Sequence, residues 1–244
     1  EHGGVVVHIL HVLTGEGADE VFAGYDVFRE GLVRRFWGRQ PGSSCRPQLL
    51  DKLYPYLARS PVRQRAMAQK FFGRDLERWR EPGFAHGLRW DTTAALKRML
   101  APALKVTNDC RAELLADLPR GATSWSHLAR DQYLEMRTLL SSYLLSSQGD
   151  RMLMGSSVEG RFPFLDPGVV SVAASLPDRL KLRVLDEKHV LKRVARGLLP
   201  EAILTRKKQP YRAPDALAFV GADVPDYVGE CLSERAVAAA PAEE

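Results

Sequence analysis

Three carboxylates, Glu16, Asp19 and Glu20, fall within five residues of one another, with Gly15 and Gly17 beside them. Glycine reaches backbone angles closed to other residues, so it suits a sharp turn that comes close to a ligand. Upstream, Val5 to Leu13 is rich in β-branched and aliphatic residues and reads as one buried strand of a parallel sheet. Downstream, Val21, Phe22, Tyr25, Phe28, Leu32 and Phe36 fall mostly at three- and four-residue steps, which predicts a helix with these residues on its apolar face. The carboxylates thus sit where a strand hands over to a helix, the place where ligands collect in open α/β sheets. Backbone N–H groups at a helix start favour anions. Mg²⁺ takes one or two carboxylates together with phosphate oxygens. On this reading Asp19 is a magnesium ligand and Glu16 a general base. The alternative is that Asp19 and Glu20 only complement the dipole of the helix start.

A second cluster runs from Gly149-Asp150-Arg151-Met152 to Ser157-Val158-Glu159-Gly160-Arg161-Phe162-Pro163-Phe164-Leu165-Asp166. Charges set among apolar residues need partners. An ion-pair network of Asp150, Arg151, Glu159, Arg161 and Asp166 is one reading, and a site wall with Glu159 and Arg161 facing inward is the other. A third cluster holds Lys188 and Lys192, four residues apart and so on one helix face. Lys188 falls in the expected first turn, where the dipole also favours anions. The pair could grip phosphates or form a solvated basic face.

The elements that carry these clusters are mostly helical. Asp186 is expected to cap a helix through Leu198, which Pro200 stops. Residues Ser126 to Ser147 predict the strongest and most central helix. Another should run from Val169 to Ser175. Between Pro47 and Leu118 short helical stretches alternate with breakers such as Pro61, Pro82 and Pro102. Trp37, Trp79, Trp90 and Trp125 are expected to fill gaps between helices. Arg206 to Arg212 reads as a basic loop and Ala236 to Glu244 as a frayed tail. No internal repeat is evident. A single parallel strand has no neighbour to bond with, so sheet partners are expected to lie outside this chain.

Composition narrows the function classes. The chain is 45% hydrophobic and 27% charged, as in ordinary globular proteins. The three cysteines are scattered and lack CxxC spacing, which argues against a disulfide framework or zinc site and for a reducing, cytoplasmic setting. No apolar run is long enough to span a membrane, and no signal peptide is evident. The net charge of +5 comes from scattered residues, so a nucleic-acid binder is disfavoured, while a small anionic substrate needs only two or three cations.

The segment Thr14-Gly15-Glu16-Gly17-Ala18-Asp19-Glu20-Val21-Phe22-Ala23-Gly24-Tyr25 closely resembles the (S/T)GEGADE(L/V)FGGY segment of asparagine synthetases. The second cluster resembles that family's DRxSMAxSxExRxPFLD segment, with Leu153 and Gly155 as departures. The third resembles its K-x-x-L-(R/K), GLLP and R-x-K series, here from Lys188 to Lys208. In the first segment the departure is Ala23 where glycine is usual. The resemblance spans about residues 5 to 225 and implies an α/β parent fold, adenine nucleotide alpha-hydrolase-like and of the PP-loop ATP pyrophosphatase type. This chain would be its mostly α-helical part with one N-terminal buried strand.

The same resemblance implies a ligase that makes asparagine from aspartate, ATP and ammonia through a β-aspartyl adenylate. Glu16 would be the base that helps ammonia attack, Asp19 a Mg²⁺ ligand, and Lys188 the contact to phosphates and the intermediate. Thr14 and Gly15 would lie near the nucleotide with Lys192, while Glu20, Glu159 and Arg161 shape the site. It also implies a homodimer for the full-length parent and a glutaminase domain as ammonia source. No SGGxDS phosphate loop and no N-terminal nucleophilic cysteine occur here. The chain is therefore read as a partial synthetase domain over 1–235, incomplete by itself, with 236–244 as tail. Competing readings are a related amide-forming enzyme, such as a β-lactam synthetase or lasso-peptide cyclase, and a non-catalytic remnant or subunit completing another chain.

Overall fold

The computed structural model describes residues 10–55, 59–105, 108–206, 208, 219–220 and 224–239. They divide into two compact units, Glu1–Arg206 and Lys207–Glu244. In the second, helices Asp226–Cys231 and Glu234–Ala239 pack on each other and bury Val228. The expected tail thus begins inside a helix, and its residues 240–244 lie outside the described ones, as do Val5 to Ile9 of the expected strand and residues 209–212 of the basic loop.

In the first unit, β1 (Leu10–Leu13) pairs in parallel with β2 (Val158–Arg161), Leu10 opposite Val158 and Leu13 opposite Arg161. The Thr14 N–H extends the ladder to the Arg161 carbonyl at 3.0 Å. Two expectations are corrected here. The strand has a partner within the chain, which the alternating charges and central glycine of Val158-Glu159-Gly160-Arg161 concealed. Nor is it buried: Leu10 and Leu13 are 63% and 73% exposed. A continuous apolar run matches a strand covered on both faces, and in a two-stranded sheet these four residues face outward.

After the turn, α1 (Ala18–Val21) is only one turn long. Residues Phe22 to Tyr25 interrupt the single helix that periodicity predicts, with Ala23 left-handed at φ 57°. The chain re-enters helix as α2 (Asp26–Gly38). This rotates the faces: Phe28 is buried, but Leu32 and Phe36 are 41% and 43% exposed, while Arg29, Glu30, Arg34 and Arg35 are buried. α2 packs on α3 (Phe84–Ala94) and on α4 (His127–Glu135). Ser126 caps α4 by accepting from the Ala129 N–H at 3.0 Å, as the expected boundary requires. Of the tryptophans, Trp37 joins the core with Val33, Leu50 and Phe84, Trp90 stacks on His86, and Trp125 meets Tyr133 edge-on.

From Met136 to Asp150 the central helix continues as fifteen residues of π-helical backbone before α5 (Arg151–Gly155). Such i→i+5 geometry usually occupies single turns. The sequence there is a short five-residue repeat, Leu-Leu-Ser-Ser-Tyr143 then Leu-Leu-Ser-Ser-Gln148, which corrects the reading of a chain without internal repeats. Its period matches the i→i+5 bond, and Gln148 Nε2 donates to the Tyr143 hydroxyl at 2.9 Å. β2 and a 3₁₀ turn lead to α6 (Pro167–Ser175), capped by the Asp166 carboxylate on the N–H groups of Gly168 and Val169.

Arg34 organises the α2–α3 packing. It is almost wholly buried, lies over the Phe84 ring at 4.1 Å, and donates to the carbonyls of Phe72, Phe84 and Arg74 at 3.0, 2.9 and 2.8 Å. Burial lowers its pKa to about 10, and nearby Glu30 opposes that fall. Arg34→Ala leaves three carbonyls without their donor and should cost about 3–5 kcal/mol. The expected result is a clear fall in the urea midpoint with the m-value unchanged; a midpoint within error of wild type contradicts this role.

Candidate active site

The acidic motif occupies the turn between β1 and α1, as its spacing predicts. Glu16 N–H donates to Thr14 Oγ1 at 3.4 Å, and Gly17 is left-handed at φ 85° where Leu165 leaves no room for a Cβ. A helix as short as α1 cannot satisfy its own last carbonyls. Gln132 of α4 does so, donating from Nε2 to the carbonyls of Glu20 and Val21 at 2.6 and 2.8 Å. The Gly24 N–H bonds the Asp19 carbonyl at 2.7 Å. Tyr25 donates its hydroxyl to Glu20 Oε1 at 2.9 Å. Glu20 is therefore a buried, internally bonded carboxyl, beneath the turn instead of on its open side.

Asp19 faces the third cluster. Lys188 Nζ lies 3.0 Å from Asp19 Oδ1, both side chains mostly buried. Gly24 makes this approach possible, because a Cβ there would collide with Asp19 Oδ1 and Lys188 Cε. Lys188 is not inside a helix but at the N-cap of α7 (His189–Val194), left-handed at φ 51°. The expected helix from Asp186 to Leu198 is thus only six residues long, and Asp186 does not cap its backbone. Its carboxylate instead accepts from His189 Nδ1 at 2.6 Å and from Lys192 Nζ at 2.8 Å. Burial pushes the Asp186 pKa up, but the hydrogen bonds from Lys192 and His189 together outweigh it and hold the pKa low. Lys192 also reaches Glu187 at 3.1 Å. The two lysines therefore diverge, Lys188 onto the motif and Lys192 onto its own segment's carboxylates.

Glu159 and Arg161 lie on β2 and pair with each other at 2.8 Å, and His11 Nε2 is 3.3 Å from Glu159. Their side chains are about half exposed. Arg161's hydrogen bond lowers the Glu159 pKa. Through β2 they flank the turn, next to Thr14. Three further residues were not singled out from sequence: Gln132, Gly24 and Glu187, which pairs with Arg29 at 3.7 Å. Only Gly24 had a visible signal, since it lies within the GEGADE-like segment.

Among the described residues no group of three His, Cys, Asp or Glu side chains could enclose a metal. One exposed edge of a carboxylate suffices for Mg²⁺ when phosphate and water supply the other oxygens. Asp19, with a side chain 14% exposed and Lys188 beside it, is the carboxylate of the turn that could hold such an ion. The larger grooves of the surface lie away from this turn; one, of about 500 Å³, is lined by Trp90, Leu96, Leu100 and Cys110.

The site's frame is a strand, an acidic turn and a helix, joined by a parallel partner strand and a lysine from far along the chain; the asparagine synthase domain, whose model matches this chain, belongs to the adenine nucleotide alpha-hydrolase fold. The chain belongs to the asparagine synthase family, whose model matches residues 6–242. It is 30% identical over 213 residues to asparagine synthetase (glutamine-hydrolyzing) 1 of Bacillus subtilis, covering 85% of this chain and 31% of that protein. It is 30% identical over 212 residues to a putative asparagine synthetase of Mycobacterium tuberculosis, covering 85% of this chain and 30% of the relative. An amidase, chyE, of Penicillium rubens is 26% identical over 234 residues, covering 83% and 32%. The chain thus spans about a third of the length of these relatives. No solved structure matches it. No helix among the described residues is long and apolar enough to cross a membrane.

Two outcomes follow. Gly24→Ala should force Asp19 and Lys188 apart beyond ion-pairing distance, which a crystal structure of the variant would show; an unmoved pair contradicts the close-approach role. Burial, with Asp19 and Glu135 adding to it, raises the Glu20 pKa against the opposing bonds from its backbone and Tyr25. The fold therefore favours protonated Glu20, and the carboxylate's cost appears as pH rises from the ordinary carboxyl range through the raised value. Relative to wild type, Glu20→Gln should gain stability between about pH 4 and pH 7, read as a difference in urea midpoints; a difference that is flat or falls contradicts the assignment.

Proposed function

We propose that this chain is the part of an asparagine-forming ligase that supplies the base, one metal ligand and the lysine of the amidation centre. The observation that carries the reading is the Lys188–Asp19 approach at 3.0 Å, between two segments matched independently to family motifs. In the reaction, the aspartate side-chain carboxylate attacks the α-phosphorus of ATP, expelling pyrophosphate and giving a β-aspartyl adenylate. Ammonia then attacks the acyl carbon, and AMP leaves. Lys188 offsets the negative charge that builds on the phosphates and on the tetrahedral centre. Glu16, half exposed on the turn, accepts a proton from the attacking ammonia. Thr14 and Gly15 place backbone against the nucleotide, and Lys192 draws in its phosphates. Asp19 would hold a Mg²⁺, which would supply positive charge to offset that of the leaving pyrophosphate. Glu20, Glu159 and Arg161 hold the shape of the turn and its β2 flank. Ammonia, on this reading, is supplied by a glutaminase domain.

The likeness to fungal amidases favours a second reading in which the same adenylation chemistry serves another acid or amine. Product analysis separates the two. With the full open reading frame that contains this segment, incubation with ATP, aspartate and ammonia should yield asparagine, AMP and pyrophosphate in equal amounts. Glu16→Gln and Lys188→Ala should each lower kcat/KM by roughly 10²–10⁴-fold. Pyrophosphate release that requires some other acid favours the second reading. Full activity in both variants overturns the residue roles. The 244-residue chain alone should neither hydrolyse glutamine nor form asparagine at a useful rate.

A further inference from the structure

Away from the motif turn, α2 presents a pocket of about 340 Å³ between itself, the start of α4 and the segment Asp178–Leu182. That volume lies in the range of small-molecule sites. Its wall is apolar: Phe28, Leu32, Phe36, Leu128 and Leu182. Leu32 and Phe36 continue the Phe28 stripe at four-residue spacing, yet they are 41% and 43% exposed, with the Arg46 guanidinium over the Phe36 ring. The stripe that the sequence marks as core-facing thus ends in an open cavity.

The charged groups of this pocket are Arg35 and Arg39 with Asp131 and Asp178. Arg35 borders it, more than nine-tenths buried, with its fork held by Asp131 at 2.6 and 2.9 Å. Its Nε–H is buried without an acceptor, a cost that an entering acceptor would relieve. Asp131 is answered by Arg35, and Asp178 accepts from Ser126 at 2.9 Å. Arg39 forms no ion pair among the described residues and rests 5.5 Å from the Trp79 ring. Arg46 lies over the Phe36 ring at 4.3 Å. Burial first, and then the charges of Arg35, Arg130 and Arg39, lower the His127 pKa, with Asp131 opposing them.

We propose that this pocket binds a small carboxylate carrying an apolar group. The carboxylate meets Arg39 and the Arg35 floor, and the apolar part lies against Leu32, Phe36 and Leu182. The site is distinct from the Lys188–Asp19 turn and does not depend on the function proposed above. A free apolar acid and an apolar α-amino acid share this chemistry; Asp178 on the rim is the group that would recognise the ammonium of the second.

Calorimetric titration of the 244-residue chain with 3-phenylpropanoate should saturate at a Kd of roughly 0.1–1 mM. The neutral isostere 3-phenylpropan-1-ol should bind at least about tenfold more weakly. Arg39→Ala, at an exposed position, should weaken the acid about tenfold and leave the alcohol unchanged. Phe36→Ser should weaken both, and Lys188→Ala neither. L-Phenylalanine binding more tightly than the acid, with the gain lost in Asp178→Asn, supports the amino acid as ligand; equal or weaker binding supports the plain acid. No saturation by 10 mM, equal binding of acid and alcohol, or an Arg39→Ala variant with unchanged affinity overturns the proposal.

Discussion

Two adjacent side chains of the central helix hold the site frame together. Asp131 takes both arms of the Arg35 guanidinium in a buried bidentate pair and so fixes α2. Gln132, the next residue, satisfies the last carbonyls of α1. A one-turn helix has too few internal bonds to persist alone, so the position of Asp19 and Glu20 depends on this contact across more than a hundred residues. Removing one partner of a buried pair strands the other charge, which makes α4 the reference against which both motif helices are set. His86 and Glu135, paired at 2.7 Å one turn further on, seal the same face from below.

The readable parts of the fold were those fixed by local chemistry. Gly17 needs a left-handed angle, and Ser126 and Asp166 find N–H groups three residues on; each is decided within a few positions. What depended on distant partners was not readable. Leu32 and Phe36 have helical spacing but lose their cover because Ala23 breaks the helix and turns α2 on its axis. The buried face of α2 is instead charged, and Arg29, Glu30, Arg34 and Arg35 look like surface residues until their partners Glu187, Tyr54, Phe84 and Asp131 arrive from elsewhere. β2 was hidden by its charges. The candidate site divides the same way: the carboxylate turn is legible, while the separation of Lys188 from Lys192 depends on one left-handed residue.

That residue bears on what the Asp19–Lys188 pair is for. A partly exposed ion pair contributes at most about 1 kcal/mol. Lys188 adopts a left-handed backbone that costs a non-glycine residue roughly 1–2 kcal/mol. Ala23, on the other side of the pair, carries the same conformation, and Gly24 gives up a side chain to let the two groups meet. Local stability is therefore a poor reason for the arrangement, since its costs exceed its gain. An ammonium held against a mostly buried carboxylate beside the turn is instead a charge kept close to neutral until an anion arrives. Such a pair can open with little loss, because each partner exchanges one counter-charge for another: the lysine for a phosphate, the carboxylate for a cation. Strain gathered on both sides of one movable contact is what a site that must change partners requires.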